Sequence, residues 1–85
     1  MIRTERIHHT LSTTFSPTAL EVVDDSHKHA GHAGASPEGE THYTVIIQSA
    51  EFEGLSRVAI QRAIMDALKD EFASGLHALS IKARS

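Results

Sequence analysis

THYTVIIQSAEFEGLS, residues 41–56, is the passage on which the fold turns. Tyr43, Val45 and Ile47 occupy alternate positions, which an extended chain places on one face, while His42, Thr44, Ile46 and Gln48 take the other, mostly more polar face. This pattern predicts a strand with one buried side. Gly54 supplies a turn after it, and Ser56 is placed to cap a helix by accepting from its free backbone amides.

Downstream, Val58, Ile64, Met65, Leu68 and Phe72 give a helical stripe expected to be core, over residues 56–73 with room for one break, and Gly75 stands where a helix ends most easily. In LHALSIKA, His77, Leu79 and Ile81 then fall on one face of a closing strand, with the histidine at the edge of the apolar row. Upstream, Ile7, Leu11 and Phe15 recur every four residues, predicting a helix from near Ile2 to Ser16, where Pro17 stops it. Leu20 and Val22 start a short strand that runs into the turn-favouring Asp24, Asp25 and Ser26.

The order is helix, strand, strand, broken helix, strand. It predicts a two-layer α+β domain with helices on one face of a small mixed sheet. Strands one and two should pair antiparallel, whereas the helical connection from strand two to strand three calls for a parallel pair with a right-handed crossover. With 85 residues the whole chain, 1–85, is expected to be a single domain.

Composition narrows the function. The chain has no cysteine, which excludes a disulfide framework, and 8 Lys and Arg against 11 Asp and Glu give a formal charge of −3, the wrong sign for broad attraction to phosphate backbones. No apolar run approaches membrane-spanning length, and MIRTERIHHT lacks the apolar core of a secretory signal, so no membrane association and a cytoplasmic location are expected. Without cysteine or a serine in a nucleophile turn, no covalent catalytic set is apparent, and the adjacent Asp24 and Asp25 point to opposite faces of an extended chain. An enzyme is not expected.

Seven histidines remain to be explained. His8 and His9 read as helix-surface residues, and His42 as a structural hydrogen-bonding residue. Three more, His27, His29 and His32, lie in SHKHAGHAGASPEGE, residues 26–40, a connection of unusual length for a compact domain. On the residues alone, three readings of it stay open: a solvated polar connection, a pH-sensitive linker, or a modest site for zinc or nickel, since His-x-His-x-x-His is a weak metal signature. At His77 a histidine hydrogen-bonded at a strand end competes with a ligand.

LEVVDDSHKHAG, GETHYTVIIQSAEFEGLS and GLHALSIKA, in this order and spacing, resemble the BolA-like family over nearly the whole chain. The resemblance implies a class II KH-like domain of order α-β-β-α-α-β with a three-stranded mixed sheet. It also implies a non-enzymatic partner of monothiol glutaredoxins that shares a 2Fe-2S cluster with them for iron-sulfur assembly, trafficking or iron signalling. In that picture the glutaredoxin gives a cysteine and bound glutathione a second sulfur, while His29 and His77 fall on the family's ligand positions and His27 and His32 are extra loop neighbours. The isolated chain, monomer or weak homodimer, would bind no cluster alone. Imidazole replaces thiolate in some 2Fe-2S centres, and only its neutral ring donates to iron. Some relatives are described as DNA-binding transcription regulators, for which Arg57 and Arg62 are the candidate phosphate contacts. Here Ile60, Gln61 and Arg62 stand where the family commonly reads Arg-His-Arg, and no Gly-x-x-Gly backbone clamp lies between the helical segments.

Overall fold

In the computed structural model, which describes residues 2–26 and 41–85, the four-residue spacing of Ile7, Leu11 and Phe15 becomes helix α1 (Arg3–Phe15), and all three side chains are buried. The Ile2 amide donates to the Glu5 carboxylate at 3.0 Å, satisfying one free N–H at the helix start. Pro17 fixes the other end. Ser16, kept out of right-handed helical geometry by the following ring, adopts φ 45° and ψ 55° while its N–H still donates to the Ser12 carbonyl.

Strands β1 (Ala19–Asp24), β2 (His42–Gln48) and β3 (Ala78–Arg84) form one sheet in the order β1-β2-β3, antiparallel then parallel. The hydrophobic pattern sets the register. Val22 and Ile81 both lie opposite Val45, Leu20 opposite Ile47 and Leu79 opposite Tyr43, so the apolar rows share one face. The helices cover that face, and a short 3₁₀ turn (Ala50–Phe52) adds Phe52, whose ring meets Phe15 at a centroid distance of 5.1 Å. The two-layer α+β fold is as the sequence predicts.

The broken helix is also present, as α2 (Arg57–Ala67) and α3 (Lys69–Ala73) joined at Leu68, and the Ser56 side chain caps α2 by accepting from the Ala59 amide at 3.1 Å. Its buried stripe differs from the expected one: Val58 and Met65 are exposed, whereas Ile60 and Ala63 are half-buried beside the fully buried Ile64 and Leu68. Ile60, Ile64 and Leu68 follow the four-residue spacing that stacks side chains on one helix face, and Val58 and Met65 belong to a neighbouring stripe turned to the surface.

One ionic cluster ties α1 to α3. Arg3 Nε donates to Glu71 Oε1 at 3.0 Å and Arg6 Nε to Glu71 Oε2 at 2.9 Å, while Arg3 Nη2 reaches the Ser74 carbonyl at 2.9 Å. Gly75, at φ 132°, passes so close to the Arg3 guanidinium that a Cβ there would stand 3.3 Å from Nη2.

Candidate metal centre

The parallel pairing of β2 with β3 brings the starts of both strands to the same end of the sheet, with His42 opposite Ala78. His77, one residue before β3, is exposed, and its backbone N–H donates to the Thr41 carbonyl at 2.8 Å, an acceptor shared with the Ala78 N–H. The imidazole is therefore held by main-chain bonds that make no use of its ring nitrogens. Its ring lies 5.3 Å from that of His42, centroid to centroid, at 52°.

His42 is the residue that sequence reasoning undervalued. It lies on the expected face of β2 and makes a hydrogen bond as expected, with Nδ1 and Thr41 Oγ1 2.9 Å apart, but it is buried and stands against His77. The available signal was non-local: in a parallel pair the first residues of the two strands are neighbours, and both strand starts here carry histidine. Replacing His42 by phenylalanine keeps the ring volume but leaves Thr41 without its nitrogen partner. A loss of about 1–2 kcal/mol in denaturant unfolding is expected, and an unchanged midpoint would contradict the assignment.

Ser26 and Thr41 clasp the two chain segments that flank residues 27–40. The Ser26 hydroxyl accepts from the Thr41 amide at 2.8 Å and the His42 amide at 3.1 Å, and the Asp25 amide donates to the His42 carbonyl at 2.7 Å. Asp24 accepts from the Ser26 amide at 2.9 Å, and Thr44 hydrogen-bonds Asp25. These carboxylates thus order the clasp. His27, His29 and His32 lie outside the described residues; the clasp holds Ser26 and Thr41 beside His42, and the Thr41 carbonyl accepts from the His77 N–H.

Among the described residues no three His, Cys, Asp or Glu side chains come together as a metal site. With one exposed imidazole, a buried hydrogen-bonded one beside it and no thiolate, these residues alone do not complete a metal coordination sphere. His8 and His9 are exposed on α1, as read from the sequence, and Arg57 and Arg62 are exposed on α2. Among the described residues no helix is long and apolar enough to cross a membrane.

Comparison with known proteins gives a consistent answer. The family described as "BolA-like protein" matches residues 11–85. The chain is 48% identical over 83 residues to the "uncharacterized protein in cobS 5'region" of Sinorhizobium sp., covering 96% of this chain and 89% of that protein. It is 44% identical over 84 residues to the UV-induced protein uvi31 of Schizosaccharomyces pombe, covering 95% and 82% of the two chains. Among solved structures, the BolA domain of SufE1 from Arabidopsis thaliana superposes with a TM-score of 0.89 at 46% identity, over 99% of this chain and 92% of that one. Sequence match, strand order and superposition agree, and the chain belongs to the BolA-like family.

Proposed function

We propose that this protein is a non-enzymatic cytoplasmic adaptor that binds a monothiol glutaredoxin and shares a 2Fe-2S cluster with it, for iron-sulfur assembly, trafficking or iron signalling. One observation carries the reading: His77 presents an exposed ring from a main-chain anchor at the foot of the histidine-bearing segment. His29 follows Ser26 by three residues, a stretch of chain that spans at most roughly 11 Å. The family resemblance makes His77 and His29 the two imidazoles the adaptor offers, with His27 and His32 as neighbours able to substitute. The chain has no cysteine, so the partner's thiolate and a glutathione sulfur complete the set.

Anaerobic mixing of the chain with a monothiol glutaredoxin, iron, sulfide and glutathione tests this. The expected product is a coloured heterocomplex with thiolate-to-iron absorption, distinct from that of the glutaredoxin alone. A mixture in which the two proteins elute separately would overturn it.

The DNA-binding reading is weaker. Arg57 and Arg62 are both exposed, yet the net charge is −3 and no Gly-x-x-Gly lies between the helical segments α2 and α3.

A further inference from the structure

The described cations fall into two sets. Arg3 and Arg6 are engaged by Glu71, whereas Arg57, Arg62, Lys69, Lys82 and Arg84 have no ion pair among the described residues, and three of these five, Arg57, Lys82 and Arg84, line one groove of about 680 Å³. Among the described residues no acidic one lines it, although acids outnumber Lys and Arg by 11 to 8 in the chain. Ile46, Ile60 and Ile81 give the groove apolar walls, and Ile46 is 40% exposed, a large apolar side chain on the otherwise open face of the sheet.

β3, which forms one side of the groove, is an outer strand of the sheet. The Ala78 amide donates to the Thr41 carbonyl and the Arg84 carbonyl accepts from the Ser49 amide, so even-numbered β3 residues bond towards β2. The N–H and C=O groups of Leu79, Ile81 and Ala83 accordingly point out of the sheet edge, where a further strand is able to pair.

We propose that this groove binds an extended acidic segment of a protein partner, which adds to β3 as a fourth strand and sets its carboxylates against Arg57, Lys82 and Arg84. Main-chain pairing to β3 supplies the affinity and the cations select the charge of the occupant. A single-stranded nucleic acid fits less well, because among the described residues no aromatic ring lines the groove for base stacking. The groove lies towards the other end of β2 and β3 from His42 and His77, its strand lining beginning at Ile46 and Ile81, roughly 13 Å away at about 3.3 Å per residue, so the proposal does not depend on the metal reading.

The test uses a rhodamine-labelled peptide of about six residues, a usual strand length, alternating glutamate with valine. Anisotropy at about 0.15 M ionic strength is expected to show saturable binding, with amide shifts at Leu79, Ile81 and Ala83. Lys82→Glu with Arg84→Glu should weaken it about tenfold or more, Arg57→Glu should weaken it independently, and His77→Ala should leave it unchanged. Methylating alternate peptide amides should abolish it. The proposal is overturned if the acidic peptide does not bind, if a lysine-valine peptide binds equally well, or if an oligo-dT strand binds instead with affinity that falls steeply with salt.

Discussion

Glu71→Ala is expected to lower the unfolding free energy by about 2–4 kcal/mol, because it strips two guanidinium groups of their common partner while Arg3 remains largely buried. This is a large share of the roughly 4–13 kcal/mol that a chain of this size has available. Hydrogen bonding from Arg6 is the main force holding the Glu71 carboxyl below its ordinary value of 4.5, with Arg3 adding to it and burial opposing. A carboxylate whose folded-state value is depressed stabilises the fold above its unfolded value, and that contribution disappears as pH falls through the lowered one. Stability of the natural chain should therefore decline as pH drops below 4.5, and Glu71→Gln should be less stable near neutrality with a shallower decline in that window. Urea titrations at several pH values check this, and parallel curves for the two proteins would show that Glu71 is not the group responsible.

His77→Ala should act on function and leave the fold intact. The anchor at this position is the backbone N–H to Thr41, which alanine retains, and the ring is on the surface, so stability is expected to change by no more than about 0.5 kcal/mol. Loss of an outer-shell partner alone typically costs about 10–100-fold in metal affinity, and loss of a direct ligand should cost at least that in cluster retention by the heterocomplex. His29→Ala should have a smaller effect than His77→Ala where His27 or His32 can take its place. The measurement is the decay of visible absorption under a chelator, with the glutaredoxin alone as reference. Equal decay for the natural chain and His77→Ala would remove His77 from the coordination sphere.

Much of the architecture was legible because it rests on local rules. Alternation in residues 42–48, the Ser56 cap and the Pro17 stop each act within a few residues, and each appears where the sequence places it. α2 carries two overlapping apolar stripes, and periodicity cannot choose between them; packing against α1 and the sheet selected Ile60, Ile64 and Leu68 and left Met65 outside. Contacts between distant residues were beyond reach. Arg3 and Glu71 are 68 positions apart, and the burial of His42 follows from the Ser26–Thr41 clasp and the neighbouring β3 start. The resemblance pointed to His77 but not to the ring beside it.

The proposed function requires imidazoles of this chain to bind a cluster whose sulfur ligands come from elsewhere. Pulsed electron paramagnetic resonance on the reduced heterocomplex, with only this chain carrying ¹⁵N-histidine, measures it directly. Strong couplings from two metal-bound imidazole nitrogens are expected, one of them lost in His77→Ala. A cluster of unchanged spectrum with no nitrogen coupling from this chain would contradict it.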